Sequence, residues 1–76
     1  MNKIRRNELY KLIEQLQDIQ SAIEQLRDEE QEYYDNMPAG IQESERGEIA
    51  GDNINNMDYA LDSLNEAIEN LEAATE

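Results

Sequence analysis

Residues 9–26 of this chain are LYKLIEQLQDIQSAIEQL, a segment in which Leu and Ile recur at alternating spacings of three and four residues. Residues 54–71 are INNMDYALDSLNEAIENL, and Ile, Met and Leu show the same spacing there. This spacing is typical of an α-helix with one apolar stripe, formed by the a and d positions of a heptad. Between the two segments lie the single proline, Pro38, and Gly40. The sequence therefore predicts an all-α fold, an antiparallel two-helix hairpin with heptad seams.

The 76 residues are expected to form a single domain. We predict helix 1 over about 3–36, a turn over about 37–43 and helix 2 over about 44–74. Helix 1 should end near Met37, because the residue before a proline is disfavoured in the α conformation. Gly40 is free to take a positive φ in the turn, and Ser44 is expected to cap helix 2. Gly47 should weaken the first turn of helix 2.

Two apolar seams this long cannot be covered by one thin hairpin, so the sequence predicts a homodimer that forms a four-helix bundle. With Leu9 at position a, the a positions of helix 1 are Leu9, Leu16, Ile23, Glu30 and Met37, and the d positions are Leu12, Ile19, Leu26 and Tyr33. Ile13 at e and Ala22 at g are expected to widen the seam on both sides. The predicted dimer interface consists of Leu9, Leu16, Ile23, Leu26, Ile54, Ala60, Leu61, Ala67 and Ile68. Ala60 and Ala67 recur at position g, where small side chains would let a second helix approach closely. The alternative is that alanine is present there only as a good helix former.

The net charge of −13, from 19 acidic and six basic residues, argues against direct binding to nucleic acid or to an anionic membrane surface. It favours a basic protein partner, or serves only to keep the chain in solution. No continuous apolar run follows the N-terminus, so neither a signal peptide nor a membrane-spanning helix is predicted. The absence of cysteine fits a cytoplasmic location.

No set of residues in the sequence points to a reaction. The chain has no histidine and no cysteine, and its serines therefore lack a partner base. Paired carboxylates need a shaped, dry pocket to act as acid and base, and a two-helix hairpin offers none. A calcium loop starting at Asp52 would have Ile54 at its third position, where an oxygen ligand is required. We therefore predict no enzyme activity, no catalytic residue, no cofactor and no metal site.

The charges of helix 1 oppose its macrodipole, which favours acidic residues at the N-terminus and basic residues at the C-terminus. The basic residues Lys3, Arg5, Arg6 and Lys11 lie at its start, whereas acidic residues crowd its end. In a hairpin these bases would meet the acids near the end of helix 2, namely Glu69, Glu72 and Glu76. Between chains, an antiparallel arrangement would bring the basic end of one copy to the acidic end of the other.

The acidic end of helix 1 is the best candidate for a partner-binding site. The residues predicted to bind the partner are Asp28, Glu29, Glu32, Tyr34 and Asp35. Carboxylates next to tyrosine suit an arginine-rich surface, through charge and cation–π contacts. The alternative is a solvated helix end with Tyr33 packed in the seam.

Residues 28–38, DEEQEYYDNMP, followed by Ser44-Glu45-Arg46, resemble a group of short acidic helical proteins encoded by phages and prophages of Gram-positive bacteria. The resemblance implies a phage origin and a site of action in the host cytoplasm, but it supplies neither an activity nor binding residues. In that setting, an acidic protein could inhibit a host protein by occupying a basic surface, including one built for DNA phosphates. A structural role in the assembly of a phage complex is the alternative. A third hypothesis is that the N-terminal bases of several chains bind a small anionic ligand.

Overall fold

The computed structural model describes all 76 residues, Met1–Glu76. It contains three helices: α1 (Lys3–Asp35), α2 (Ala39–Gln42) and α3 (Glu45–Ala74). The long helices α1 and α3 pack against each other along their length, and α2 packs on the start of α3. Residues of the late part of α1 contact residues of the early part of α3, so the two helices are antiparallel. The prediction of an all-α helical hairpin is confirmed.

Asn2 caps the N-terminus of α1, a role that the sequence analysis did not assign to it. Its backbone is extended, and its Oδ1 accepts a hydrogen bond of 2.8 Å from the backbone N–H of Arg5. Asparagine is among the residues that satisfy the free N–H groups of a helix start best. No acidic residue lies in the first turn of α1, so the cap is the only local compensation for three basic side chains near the positive end of the dipole.

The connection between the long helices is more regular than predicted. Residues 39–42, expected as part of a turn, form the short helix α2, which begins directly after Pro38. Gly40 lies inside this helix and has no positive φ, so the turn does not use the left-handed conformation that glycine permits. Ser44 does occupy the N-cap position of α3, but its side chain makes no capping bond. Its hydroxyl donates instead to the carbonyl of Ile41 and stabilises the end of α2.

Gly47 is buried where α3 passes the end of α2. A Cβ atom at this position would overlap the backbone carbonyl of Gln42. Glycine therefore permits a close approach between two backbones, in addition to the weakening of the helix that its sequence position suggested. The side chain of Gln42 donates a 2.9 Å hydrogen bond to the carbonyl of Tyr34, which ties α2 to the end of α1 as well.

The seam between α1 and α3 uses the a and e positions of α1, so the predicted widening at Ile13 is confirmed, whereas the predicted d row lies outside the seam. Ile13, at position e, is the only buried residue of α1. The d residues are instead exposed: Leu12 by 50%, Ile19 by 49%, Leu26 by 58% and Tyr33 by 50%. The e row packs in the seam because it carries Ile13, which is buried there, and Arg27, which forms an ion pair with α3. The a row of α1 faces α3 both in the heptad prediction and in the structure.

On α3, the seam follows the predicted a and d positions. Ala50, Ile54 and Ile68 are buried between the helices. Beyond the end of α3, Thr75 is also buried, and its hydroxyl donates to the carbonyl of Glu72 at 2.6 Å. The core is thus one narrow row of small and branched side chains.

The hairpin is a rod of 58 × 15 × 12 Å with a radius of gyration of 17.2 Å. A compact domain of this length would have a radius of gyration of about 11 Å. Only six of the 76 residues are buried. A chain that buries so little apolar surface is marginally stable by itself, which favours additional burial through self-association.

Candidate functional site

The acidic tip, which we define as Asp28, Glu29, Glu32 and Asp35, lies on the outer side of the last two turns of α1. All four side chains are exposed. Asp28 has its carboxylate 3.7 Å from the guanidinium of Arg27, and Asp35 accepts a hydrogen bond of 2.9 Å from Gln31. Glu29 and Glu32 make no hydrogen bond and no ion pair. The tip therefore presents at least two carboxylates that nothing else in the chain engages.

The two tyrosines next to the acidic tip have exchanged the roles expected from the sequence. Tyr33, at position d, is half exposed and does not pack in the seam. Tyr34, predicted to bind the partner, is half-buried because it lies in the e row that faces α3. Its carbonyl also accepts the bond from Gln42. Of the two rings, that of Tyr33 is therefore the more available for contact with a partner.

Glu30 interrupts the apolar a row, and the structure gives it a partner inside the hairpin. Its Oε2 accepts a hydrogen bond of 3.2 Å from the side-chain amide of Asn53 on α3. Asn53 belongs to a stretch that is unfavourable for a helix on propensity alone. The pair thus accounts for a polar residue on each helix near the tip.

Arg27 and Asp58 form the principal ion pair between α1 and α3. The Nε of Arg27 lies 2.8 Å from Oδ1 of Asp58, and the second bond joins Nη2 to Oδ2 at 3.2 Å. Hydrogen bonding to this guanidinium lowers the pKa of Asp58, and the same bond raises the pKa of Arg27. The two parallel bonds fix both the distance and the register of the helices. Sequence reasoning missed this pair, because both residues occupy position e, outside the predicted a and d seam.

The basic residues at the start of α1 do not meet the acids at the end of α3. Every ion pair in the structure involves Arg27, so the expected pairing of Lys3, Arg5 and Lys11 with Glu69, Glu72 and Glu76 was wrong. Arg6 donates instead to the carbonyl of Met1 at 3.2 Å. Long side chains at an exposed helix end gain little from such pairs and lose rotamer freedom by making them. The basic end therefore remains available for other contacts.

A shallow groove adjoins the acidic tip on one side of the hairpin. Its lining includes Tyr33 from α1 and Ile49 and Asn53 from α3. A second groove, over α2, shares Tyr33 and Arg46 with the first and is lined by Pro38 and Ile41. The tip thus combines free carboxylates with exposed apolar surface, a combination that a purely solvating charge cluster would not need.

Tyr33 and Asn53 line one groove, so the d row of α1 and the g row of α3 open on the same side of the hairpin. We call this side the apolar face and define it by Leu12, Ile19, Leu26 and Tyr33 of α1 and Ala60 and Ala67 of α3, all of which are exposed. The opposite side has a groove in which charged and polar residues, among them Gln17 of α1 and Glu72 of α3, accompany Tyr10 and Ile13. The hairpin is therefore amphipathic as a unit.

The residues predicted for a dimer interface divide into two groups. Leu26, Ala60 and Ala67 lie exposed on the apolar face. The others lie in the seam between the two helices of one chain and are half-buried or buried there: Leu9, Leu16, Ile23, Ile54, Leu61 and Ile68. The second group is thus engaged within the chain, and only the first is accessible to another copy.

No helix of the structure combines the length and the apolarity needed to cross a bilayer. No three acidic side chains converge on a point where a metal ion could be held. A comparison with models of protein families, with curated proteins and with solved structures found no match to this chain.

Proposed function

We propose that this chain is a non-enzymatic, phage-encoded protein-binding module that engages a basic surface of a host protein through its acidic tip. The observation that supports this proposal is the pair Glu29 and Glu32, whose side chains are exposed and unengaged next to the half-exposed ring of Tyr33. An arginine-rich surface would gain charge-assisted hydrogen bonds from the carboxylates and a cation–π contact from the tyrosine.

The shape of the hairpin suits a partner with an elongated basic groove. The rod is 58 Å long, and its net charge of −13 attracts a basic surface over the Debye length. Carboxylates held along a narrow helix can occupy positions that a groove offers to phosphates. Inhibition of a host DNA-binding protein by imitation of DNA charge is one form that this function would take.

We also propose that the functional unit is a homodimer in the form of a four-helix bundle. The apolar face supports this, because it leaves Leu12, Ile19 and Leu26 about half exposed in a single chain. Burying such side chains stabilises an assembly by about 25 cal/mol for each square ångström of apolar surface removed from water.

Binding through the acidic tip is tested by reversing its charge. The variant Glu29→Lys/Glu32→Lys is compared with Asp62→Lys/Glu66→Lys, which has the same net charge and alters exposed acids of α3 away from the tip. Both are immobilised and used to capture proteins from a lysate of a Gram-positive bacterium at two salt concentrations. We expect the tip variant alone to lose a salt-sensitive partner by about tenfold or more, the loss that follows when about 1.4 kcal/mol is removed. Equal capture by both variants would disprove the proposal.

The second candidate is an assembly module, favoured by the exposed apolar face. In that case the acidic residues only keep the chain in solution, and larger residues at Ala60 and Ala67 would disrupt assembly while charge reversal at the tip would not. The two functions are therefore separated by the same pair of measurements, capture of a partner and size of the assembly.

A further inference from the structure

We infer that the apolar face binds a second copy of this chain with the two α1 helices antiparallel and centred on Ile19. This inference rests on the self-association proposed above and specifies its surface, its direction and its register. The d row of α1 carries it: Leu12, Ile19 and Leu26 stand at 49–58% exposure in a straight line along one side of the hairpin. The seam within the chain does not use this row.

Only one side of the hairpin carries a row of exposed leucine and isoleucine side chains. The groove on the opposite side is lined by Glu14, Gln17 and Glu72 together with Tyr10 and Ile13. On the apolar side, Ala60 and Ala67 of α3 flank the d row and are small enough for a second rod to approach both helices, while Arg46 and Asn53 flank it nearer α2. A second copy therefore has one way to cover the exposed leucines, which is face to face.

One whole side of the rod, 58 by 15 Å, covers about 870 Å², and a specific interface of standard size buries about 800 Å² on each partner. The apolar residues from Leu12 to Tyr33 occupy about 32 Å of that length, so the polar ends of the rod must also take part in the contact. A small globular ligand would cover only part of a stripe this long. A rod of equal length and of the same apolar pattern covers all of it.

The charges of α1 determine the direction. Lys3, Arg5 and Lys11 at its start make no ion pair, and neither do Glu29 and Glu32 near its end. A parallel pair would place acidic tip against acidic tip. An antiparallel pair places Lys3, Arg5 and Lys11 of each copy beside the acidic tip of the other. Glu69, Glu72 and Glu76 at the end of α3 make this end of the rod nearly neutral, so it repels the tip less than a second tip does.

The length of α1 determines the register. Ile19 is the middle residue of Lys3–Asp35, so the two helices overlap completely when a two-fold axis passes next to it. In this register Ile19 meets Ile19, and Leu12 of one copy meets Leu26 of the other. Arg5, which also occupies position d, then lies opposite the half-exposed ring of Tyr33, a pairing that suits a cation–π contact.

The chain has no cysteine, so single cysteine variants report this geometry directly. Four full-length variants are oxidised mildly: Ile19→Cys, Leu12→Cys, Leu26→Cys and Tyr10→Cys. All four positions are exposed in the hairpin, so folding is retained and is checked by circular dichroism. Tyr10, on the polar side, is the matched control.

We expect Ile19→Cys to form a disulfide-linked dimer about tenfold or more faster than Tyr10→Cys, since thiols held together in one complex have effective concentrations in the millimolar range. Leu12→Cys and Leu26→Cys should each react slowly alone and rapidly when mixed. Rapid linkage of all three face variants alone would establish a parallel pair and overturn the inference. Uniformly slow linkage, with a monomer in sedimentation of the unmodified chain at tens of micromolar, would overturn it as well.

The cysteine positions lie outside the acidic tip and the linkage assay contains no partner, so the dimer can fail while the proposed function holds. A monomer that still captures its partner would remove the dimer and leave the proposed function. A dimer that links through Ile19→Cys while the unmodified chain captures no partner would support the dimer and remove the proposed function. If both hold, Tyr33 faces Arg5 of the second copy, and each of the two tips offers a basic partner only the carboxylates on its outer side.

Discussion

Gly47 and Gly51 show how two glycines on one helix can have opposite effects. Both lie in the early part of α3, where glycine is unfavourable for a helix. At Gly47, the backbone of Gln42 occupies the space that a Cβ atom would need, whereas nothing lies within 4 Å of a Cβ at Gly51. The first glycine is therefore required by packing, and the second is not.

Alanine substitutions separate the two cases. Gly47→Ala should lower the free energy of unfolding by about 1–3 kcal/mol, because the corner between α2 and α3 must open to accept the methyl group. Gly51→Ala should raise it by about 1 kcal/mol through helix propensity. Urea unfolding of both variants at one protein concentration measures this. The packing explanation fails if Gly47→Ala is as stable as Gly51→Ala.

The Arg27–Asp58 pair gives the hairpin a defined dependence on pH. The pKa of Asp58 is lowered in the folded chain from its ordinary value of 3.8. The ionised carboxylate is thus favoured by folding, and its stabilising contribution is fully present above pH 3.8 and is lost as the pH falls through the lower, folded-state pKa.

Asp58→Asn tests this dependence. We expect the variant to melt at a lower temperature than the unmodified chain at pH 5–8, with a difference that does not vary across that range. Below pH 3.8 the difference should shrink, because the unmodified chain then loses the same charge. Thermal unfolding followed by circular dichroism across this pH range provides the measurement. A difference that persists undiminished at the lowest pH would show that the ion pair is not its cause.

Along α1, a well-formed cap offsets an unfavourable distribution of charge. Asn2 accepts the hydrogen bond from Arg5, while three basic side chains lie in the first turns and no acidic one does. The helix therefore depends on a single side chain at its start.

Two substitutions of Asn2 should move the stability of α1 in opposite directions. Asn2→Ala removes the cap and should cost about 1 kcal/mol. Asn2→Asp keeps the acceptor and adds a negative charge beside the dipole and the basic residues, for a gain of about 0.3–1 kcal/mol at low salt. In thermal unfolding, added salt should reduce the gain and leave the loss unchanged. A gain that is insensitive to salt would contradict the electrostatic explanation.

Both long helices could be predicted from the heptad spacing. Apolar residues that alternate at spacings of three and four match the period of an α-helix and do not match that of a β-strand. The rows that face each other could not be predicted for α1. Apolar residues occupy every a and d position from Leu9 to Leu26, and Ile13 is the only aliphatic residue at e, yet the structure packs a and e. The pattern shows which residues are apolar. Which apolar row packs within the chain, and which is left for a second chain, depends on contacts such as Arg27–Asp58.

The acidic tip could be predicted as a charge cluster, but not the side chain that accompanies it. Tyr33 and Tyr34 are adjacent in sequence, and the shift of the seam from d to e exposes the first and half-buries the second. Assigning the seam to position d in place of position e therefore exchanges which of the two tyrosines is predicted to be exposed and which is predicted to be packed. The likeness to phage proteins and the binding of a basic partner both remain predictions.

The proposed dimer has a predictable mass and maximum length in solution. A face-to-face pair with complete overlap doubles the mass and leaves the longest dimension close to 58 Å. Small-angle scattering at increasing protein concentration should therefore show a rising mass at nearly constant maximum length. A pair joined end to end would nearly double that length, and its observation would exclude the apolar face as the contact.

The antiparallel hairpin also has a mechanical consequence. Its two chain ends lie together, opposite α2, so a force that pulls them apart loads the contacts between α1 and α3 one after another. The contacts near Ile13 and Ile68 would separate first and the Arg27–Asp58 pair later, so the helices come apart progressively from the chain ends toward α2. Such a rod yields at a low, steady tension when gripped by its ends. It would resist far more strongly if it were sheared along its axis, where all rows act at once.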